Sequence, residues 1–367
     1  MTGNVTLEVD RQAFGTTRLV RADLPLLAEG QVRLRVDDFA VTANNITYAA
    51  IGEMLGYWDF FPTGDPAWGR VPAMGWATVV ETAQPEVPTG GRYYGWYPMA
   101  RYVDLTVGAT AEGIRDDGAH RQAHAPVYRS YVEAGRDPLY PHTDDEHRGD
   151  AEDRHALLRG LFLTGFLADQ FFADQSYFGA DAVVVLSASS KTAIGFAQRA
   201  AERGVGSVIG VTSAANVAFV RSLGFYTDVV TYDEVGSLPV TDAVSVDMSG
   251  DAAALAAVHQ RLGDHLRYSM IIGKSHHDAA PVAITTGPTP ELFFAPTEVS
   301  RRLDEWGPDE YQRRTADALA AFVGGSRQWL TVERTAGPEA AEATWRAVYD
   351  GAVPPSIGRI VSLHDRP

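Results

Sequence analysis

Residues 181–233 decide the fold, and they read DAVVVLSASSKTAIGFAQRAAERGVGSVIGVTSAANVAFVRSLGFYTDVVTYD. The stretch opens with an apolar run, residues 182–186, whose length and β-branched content are typical of a buried parallel strand. A serine-rich turn at residues 187–190 separates this run from a helical stretch at residues 191–203, which ends at Gly204. The pattern therefore predicts a strand, a short turn and a helix in succession.

The same succession repeats along the chain. A second apolar run at residues 208–211 leads into a helix that closes at Gly224, and a third strand is predicted at residues 228–231. Strand–helix–strand–helix–strand within about fifty residues is the mononucleotide-binding half of a doubly wound α/β fold. Further elements of the same sheet are predicted as strands at residues 243–247, 268–272 and 292–295, with a helix at residues 252–262.

The turn after the first strand is where such folds hold phosphate, because backbone N–H groups and the helix N-terminus point at the anion there. The G-x-G-x-x-G fingerprint is absent, and serines and an alanine stand roughly where its glycines would. Hydroxyl groups and one cation take their place, so we expect a pyrophosphate to be held by Ser187, Ser189, Ser190, Lys191 and Thr192. The alternative is an ordinary helix N-cap at Ser189 or Ser190 with no ligand.

The ends of two other strands carry further candidates. An NAD site places an acidic residue at the end of the second strand to bond the ribose 2′-hydroxyl, whereas this chain has Thr212, Ser213 and Asn216 there. Nothing acidic would repel a 2′-phosphate, so the residues favour NADP(H). The fifth strand is followed by Gly273, Lys274 and His276, which we expect to reach the cofactor, the alternative being a solvated loop.

Composition limits the class of protein. The chain has 367 residues, 45% apolar and 21% charged, which indicates a soluble globular protein with room for two domains. A net charge of −16 argues against binding to nucleic acid or to an anionic membrane. With no leader and no membrane-length apolar run, we expect a cytoplasmic protein. The absence of cysteine excludes disulfides, a thiol nucleophile and Cys-containing zinc sites.

The first part of the chain is predicted to be β-rich. Short strands are expected at residues 5–9, 31–36 and 73–81, with another short strand and a polar cluster within residues 37–48. Residues 109–153 are irregular, and half of the ten histidines lie within them or just after them: His120, His124, His142, His147 and His155. Their spacing does not support a metal site, so a solvated loop that covers a cleft is the preferred interpretation.

Helices and strands are also predicted on either side of the nucleotide-binding stretch. The apolar stretch at residues 155–172 is predicted to be a helix that packs under the nucleotide-binding fold. A helix at residues 308–322 follows later. Strand, helix and strand are then predicted at residues 329–333, 340–349 and 357–363.

This order of elements resembles the medium-chain dehydrogenase/reductase superfamily, in particular its zinc-free branches that are quinone-oxidoreductase-like and enoyl-reductase-like. The resemblance covers most of the chain and is carried by VRLRVDDFAVTANNITYA, GGRYYG, LFLTGFLADQFF, SASSKTAIGFA and AVYDGAVPPSIGRIVSL. It implies a GroES-like β-rich catalytic domain (residues 1–160 and 297–367), a Rossmann domain (residues 161–296) and a homodimer. The altered glycine loop and the unmatched residues 109–153 indicate a divergent branch. Catalytic zinc is not expected, because the superfamily's zinc ligands include cysteine.

The resulting hypothesis is an NADP(H)-dependent oxidoreductase that reduces an activated double bond in an enone, a quinone or an enoyl thioester without a metal. By the resemblance, Asn44 or Asn45 lies beside the nicotinamide and Tyr48 donates to the developing enolate or acts as the acid, with Tyr57 and Tyr128 as second choices. Two alternatives remain open: cofactor-free lyase, isomerase or decarboxylase chemistry on an acyl substrate, and a non-catalytic protein that retains the fold.

Overall fold

The computed structural model describes residues 3–141, 146–273 and 284–365, and the chain divides into two compact units. The first unit comprises Met1–Arg159 and Leu330–Pro367, and the second comprises Gly160–Trp329. The second unit therefore extends well past the predicted limit of residue 296. The reason is packing: the Phe322 ring, on a late helix, stacks on Phe162 of the second unit with 4.6 Å between ring centroids.

The elements of the first part of the chain are mostly strands. In chain order they are β1 (Asn4–Asp10), β2 (Thr17–Ala22), β3 (Gln31–Val41), α1 (Ala43–Ala50), α2 (Gly52–Leu55), β4 (Trp68–Gly69), β5 (Pro72–Thr82), β6 (Arg92–Pro98), β7 (Tyr102–Ala109), β8 (Gly113–Asp116) and β9 (Ser130–Glu133). A long helix, α3 (Arg148–Asp174), then crosses the boundary between the two units along the chain.

Strands and helices alternate in the second part. They are β10 (Ala182–Leu186), α4 (Lys191–Glu202), β11 (Ser207–Thr212), α5 (Val217–Ser222), β12 (Asp228–Thr231), β13 (Ala243–Asp247), α6 (Ala252–Leu262), β14 (Leu266–Ile271), β15 (Glu291–Leu292), α7 (Ala295–Trp306) and α8 (Pro308–Ser326). The chain ends with β16 (Thr331–Ala336), α9 (Pro338–Tyr349) and β17 (Ile357–Ser362).

The second unit contains a parallel sheet whose strands lie in the order β12-β11-β10-β13-β14-β15. Numbered within the unit, this is 3-2-1-4-5-6, the order of the Rossmann fold. The strand order reverses between β10 and β13, and ligands of such sheets bind at that point beyond the carboxyl ends of the strands. The predicted α/β fold class, with a β-rich and a Rossmann-type unit, is thus confirmed.

The first unit is built on an eight-stranded sheet in the order β16-β17-β3-β5-β6-β9-β8-β7, with an additional β3–β7 pairing, and on a three-stranded sheet in the order β2-β1-β4. Strands β8 and β9 arise from the stretch predicted as a solvated loop, so that interpretation of residues 109–153 is wrong for them. Buried charges hold the stretch in place, because the Asp137 carboxylate, which is fully buried, pairs with Arg159. Of the five histidines named in the sequence analysis, His142 lies outside the described residues.

A second correction concerns the polar cluster that follows β3. The predicted short strand is the end of β3, which runs to Val41, whereas the polar cluster and asparagine-containing loop after it form helix α1. The helix begins with a capping box, in which the Thr42 side chain accepts from the Asn44 backbone N–H and the Asn45 side chain accepts from the Thr42 backbone N–H. Two orphan donors at the helix start are satisfied in this way, and the helix outcompetes an extended conformation.

Helix α3 has the length and apolar content of a membrane-spanning helix, but 67% of its most apolar 18-residue window is buried within the protein. The core helices of water-soluble proteins satisfy the same criterion. Gly165 lies on its packed face, where a Cβ atom would come within 2.6 Å of the Thr192 carbonyl oxygen. The close approach of α3 to α4 therefore depends on this glycine.

Candidate functional site

The turn that follows β10 lies at the point where the strand order of the parallel sheet reverses. Ser187 adopts a left-handed backbone conformation with φ of 56°. Glycine adopts this conformation far more often than other residues do. The Ala188 N–H donates to the Val211 carbonyl at 3.0 Å and the Ser190 N–H donates to the Ser187 carbonyl at 2.8 Å. The turn thus has a left-handed backbone of the kind that glycine usually adopts, although serine stands at this position.

Neighbouring residues leave room for this turn. Gly210 on β11 has no side chain where a Cβ atom would come within 2.9 Å of the Ala188 Cβ and of the Tyr226 ring. The Tyr226 hydroxyl donates to the Ala188 carbonyl at 2.8 Å. The turn is therefore fixed by a backbone hydrogen bond to β11 and by the Tyr226 hydroxyl, and its Ala188 and Ser190 N–H groups are committed within the protein.

Helix α4 begins at this turn. Ser190 is its N-cap, and the Ser190 hydroxyl accepts from the Ala193 N–H at 3.2 Å. The N-cap that was considered as an alternative is therefore present, and the Ser190 hydroxyl is committed to it. The positive end of a twelve-residue helix still faces the turn. Thr192 is partly exposed in its first turn.

Three of the predicted residues come together through one hydroxyl group. The Ser189 hydroxyl accepts from the Thr212 hydroxyl at 3.4 Å and from the Asn216 amide at 3.2 Å. Thr212 is buried at the end of β11, and Ser213 follows it at the start of a short 3-10 helix. The structure therefore brings the residues after β10 and those after β11 to one place, as the sequence predicted from the edge of a parallel sheet.

Lys191 is the first residue of helix α4 and the cation that is nearest to this group in the sequence. Its side chain is partly buried, and burial lowers the pKa of its ammonium group from 10.5 to about 8. Lysine is rare in the chain, where Lys191 and Lys274 are the only two residues of this type. An anion bound beside the ammonium group would favour its charged form and raise the pKa again.

Two residues at the same edge escaped the sequence analysis. The Tyr232 hydroxyl is hydrogen-bonded to the backbone and side chain of Ser187, and burial raises its pKa. Asp247 is buried at the end of β13, where its Oδ1 accepts from the N–H groups of Ser249 and Gly250 at 2.7 and 3.3 Å. Both follow the carboxyl end of a parallel strand, and that rule, applied to every strand, would have found them.

The predicted contribution of the fifth strand is described only in part. Gly273 lies beside β13, with its N–H donating to the Asp247 carbonyl at 3.4 Å. A Cβ atom at Gly273 would come within 3.2 Å of the Met248 carbonyl oxygen. Lys274 and His276 lie outside the described residues, and their assignment to the cofactor stays a prediction.

In the first unit, the three tyrosines chosen as catalytic candidates lie together. The rings of Tyr48 and Tyr57 are 4.6 Å apart, and the hydroxyl groups of Tyr57 and Tyr128 are 3.0 Å apart. Phe60 and Trp96 complete this aromatic cluster, with centroids 5.4 and 5.2 Å from that of Tyr128. Residues separated by up to 80 positions in sequence thus form one aromatic cluster, in which Tyr48, Tyr57 and Phe60 are buried.

The two predicted asparagines differ in what their side chains do. The Asn45 amide is committed to the protein, because its oxygen accepts from the Thr42 N–H at 2.8 Å and its nitrogen donates to the Pro72 carbonyl at 3.0 Å. Asn44 is hydrogen-bonded to the Tyr48 hydroxyl instead. The structure therefore gives Asn45 a capping role and leaves Asn44 as the better candidate for contact with a ligand.

The tyrosine hydroxyls of the cluster are neutral hydrogen-bond donors. Burial raises the pKa of Tyr48, Tyr57 and Tyr128 above the ordinary value of 10, and their mutual proximity raises those of Tyr48 and Tyr57 further. Forming a buried tyrosinate would be costly, so donation of a hydrogen bond is favoured over loss of the proton. Within the described ranges, no group of three or more His, Asp or Glu side chains is placed to hold a metal ion.

The fold and the two groups of side chains define the class. The structure combines a β-rich unit with a Rossmann-type unit, the two kinds of domain that the sequence resemblance implies. Residues 39–354 match the family described as "Protein of unknown function (DUF2855)", and the chain belongs to that family. No curated protein matches the sequence at a significant level.

Solved structures show the same fold at low sequence identity. CurA from Vibrio vulnificus in complex with NADPH superposes with a TM-score of 0.63 and 12% identity, over 99% of this chain and 100% of that chain. A putative NADPH:quinone reductase from Mesorhizobium loti gives 0.60 and 16%, over 99% of both chains. A mutant enoyl thioester reductase from Candida tropicalis gives 0.55 and 13%, over 99% of this chain and 100% of that chain.

Proposed function

We propose that the protein is an NADP(H)-dependent reductase of an activated carbon–carbon double bond, in an enone, a quinone or an enoyl thioester, and that it acts without zinc. The observation that carries the proposal is the turn at Ser187, which keeps a left-handed, glycine-type backbone at the reversal point of a 3-2-1-4-5-6 parallel sheet. Several solved structures with this fold contain NADPH or NADP, which supports the choice of cofactor.

The residues around the turn fit a dinucleotide phosphate. The positive N-terminus of α4 would hold the pyrophosphate, with Ser187, Ser189, Thr192 and Lys191 around it. Thr212, Ser213 and Asn216 would face the adenosine ribose. Neither these three residues nor those around the pyrophosphate carry a carboxylate. A 2′-phosphate would therefore meet only hydroxyl and amide groups and the ammonium group of Lys191. When bound, the cofactor would supply hydride.

The first unit would supply the substrate side. Hydrogen bonds from neutral hydroxyls to a carbonyl oxygen stabilise the negative charge that develops there when a conjugated double bond is reduced. The aromatic cluster of Tyr48, Tyr57 and Tyr128 provides such hydroxyls in apolar surroundings. Planar conjugated substrates would pack against its rings.

The missing glycine fingerprint favours one competing function, in which the scaffold no longer binds a dinucleotide and performs cofactor-free acid–base chemistry on an acyl substrate. Calorimetric titration with NADPH and with NADH separates the two. The reductase hypothesis predicts tighter binding of NADPH, and absence of binding of either cofactor would refute it.

Lys191→Ala extends the titration to the site itself. It should weaken NADPH more than NADH if Lys191 meets the 2′-phosphate, and both equally if it meets the pyrophosphate. Arg199→Ala is the matched control, because it removes a positive charge from the last turn of the same helix. Turnover is then followed by the loss of NADPH absorbance with cyclohexenone, a benzoquinone and crotonyl-CoA. An unchanged affinity in Lys191→Ala would remove the lysine from the site.

A further inference from the structure

One face of β6 carries three large side chains at alternate positions: Arg92, Tyr94 and Trp96. Arg92 pairs with Glu152 of α3 at 2.7 Å. Trp96 lies 5.2 Å from the Tyr48 ring and belongs to the aromatic cluster. Tyr94 is therefore placed between an ion-pair network on one side and the proposed substrate surface on the other.

The Tyr94 hydroxyl is anomalous. The residue is 7% exposed, and its hydroxyl oxygen is buried with no hydrogen-bond partner among the described residues. Its ring is held firmly, since it packs 5.3 Å from the Trp76 ring and beneath the Arg159 guanidinium at 4.4 Å. Buried hydroxyls without a partner are rare because burial removes their hydrogen bonds to water, so this one calls for a ligand or solvent molecule that completes it.

His155 faces the same side of α3 as the residues that touch β6. It lies one turn after Glu152 and one turn before Arg159, which contact Arg92 and Tyr94 respectively. It is 3% exposed, and its Nδ1 has no hydrogen-bond partner within the described part of the chain. Burial and the adjacent Arg159 lower the pKa of His155 to about 3, so its ring is neutral and can donate one N–H.

We propose that the Tyr94 hydroxyl and the His155 ring N–H bind the carbonyl oxygen of the substrate. This inference rests on the proposed reductase function and refines it. The hydroxyls of Tyr48 and Tyr57 already bond to Asn44 and Tyr128, whereas the two donors proposed here are without partners in the described structure. Arg159 stays bound to Asp137 through both terminal nitrogens and adds positive potential beside the oxygen.

The assignment of the ligand follows from the chemistry of these groups. The phenol of Tyr94 and the imidazole of His155 are both neighbours of the Arg159 guanidinium, and both are neutral. A carbonyl or enolate oxygen is an acceptor only and so matches donors of this kind. The aromatic rings of Trp96 and Tyr48 continue the surface toward the apolar part of a conjugated substrate. An α,β-unsaturated carbonyl compound has both features.

The test uses the full-length protein with NADPH and cyclohexenone. Tyr94→Phe should lower kcat/KM roughly a hundredfold, as the loss of one preorganised donor does, with the NADPH affinity and the melting temperature unchanged. His155→Leu should have an effect of similar size, and His155→Asn, which keeps an N–H near the Nδ1 position, should recover part of the loss. Tyr93→Phe is the matched control, because Tyr93 is the neighbouring residue on the opposite face of β6.

A second measurement does not depend on turnover. Cyclohexenone is titrated into the NADP⁺-bound protein by quenching of tryptophan fluorescence, and its dissociation constant should rise at least tenfold in Tyr94→Phe and His155→Leu. If the wild-type protein reduces cyclohexenone and both variants match Tyr93→Phe, the assignment of the oxygen site is overturned while the proposed function stands. If the wild-type protein neither binds NADPH nor reduces the ketone, the proposed function fails and this inference fails with it.

Discussion

Lys191 makes the affinity for NADPH dependent on pH in a defined range. In the free protein its pKa is about 8, against an ordinary value of 10.5. If a phosphate bound beside the ammonium group restores the ordinary value, the full linkage between protonation and binding is roughly 3.4 kcal/mol, at about 1.4 kcal/mol per pH unit. Binding draws on the protonated lysine, so the affinity is highest below the free pKa and falls as the pH rises through it.

The magnitude can be worked out for an ordinary buffer range. At pH 7 the free protein is almost fully protonated at Lys191, and at pH 9 only about one molecule in eleven is, so the affinity should fall roughly tenfold between these values. Isothermal titration at half-unit intervals of pH measures this directly. Lys191→Arg should bind with no such dependence, because a guanidinium stays charged throughout.

Two results would refute the reasoning about Lys191. A wild-type affinity that is flat between pH 7 and pH 9 would show that the ammonium group does not meet the cofactor. A tenfold fall that persists in Lys191→Ala would assign the titration to another group. Amine-selective labelling gives an independent check, since Lys191 and Lys274 are the only lysines and NADPH should protect Lys191.

Three further predictions concern stability and backbone geometry. Gly165→Ala should destabilise the protein by about 1–3 kcal/mol in urea unfolding, because its Cβ would lie 2.6 Å from the Thr192 carbonyl oxygen, whereas Gly324→Ala, with open space around it, should stabilise by roughly 0.5–1 kcal/mol; equal effects would contradict this packing. Ser187→Val should cost about 1–2 kcal/mol and weaken NADPH binding, while Ser187→Gly should retain it, because φ is 56°; a normal NADPH affinity in the valine variant would show that the turn need not be left-handed. His155 has a folded pKa of about 3 against 6.5 unfolded, so its contribution is present above pH 6.5 and is lost at about 1.4 kcal/mol per unit as the pH falls toward 3; urea midpoints measured at several pH values should show a shallower acid slope in His155→Gln, and identical slopes would place the ring in water.

The sequence predicted the central strands of the parallel sheet well and its edge poorly. The bounds predicted for β10, β12 and β13 are those observed, because continuous apolar runs bounded by turn formers suit strands buried on both faces. The sixth strand, predicted at residues 292–295, is only Glu291–Leu292, and both residues are exposed. The bounds of an edge strand depend on its pairing with a single neighbouring strand. Because its residues are largely exposed, the sequence has no apolar run that would mark those bounds.

Helix α1 was missed because its stability is not local. The sequence ANNITYAA combines asparagine, threonine and tyrosine, all mediocre helix formers. The helix depends on a capping box and on burial of Ile46 and Tyr48 against the rest of the first unit. Strand β8 likewise required its antiparallel pairing with β7 and β9, which a local pattern of four residues does not reveal.

The candidate site likewise contains residues that the sequence predicted and residues that it did not. The hydroxyl groups after β10 and β11 were predicted, since the edge of a parallel sheet brings strand ends together without further information. Tyr94 and His155 were not singled out for the substrate site, because the feature that distinguishes them is the absence of partners for two buried atoms among the described residues. That property belongs to the three-dimensional surroundings, and no sequence spacing encodes it.

The division of the first unit into Met1–Arg159 and Leu330–Pro367 has a consequence for synthesis on the ribosome. The second unit is contiguous and is complete at Trp329, so it can fold while the chain is still growing. The first unit is completed later, because β17, which pairs with β3 at Phe39–Val41, is synthesised after the whole of the second unit. Until then β3 presents an unpaired edge, a point at which nascent chains are open to aggregation and chaperone capture. Pairing of β17 with β3 therefore removes this site of aggregation and chaperone capture from the first unit.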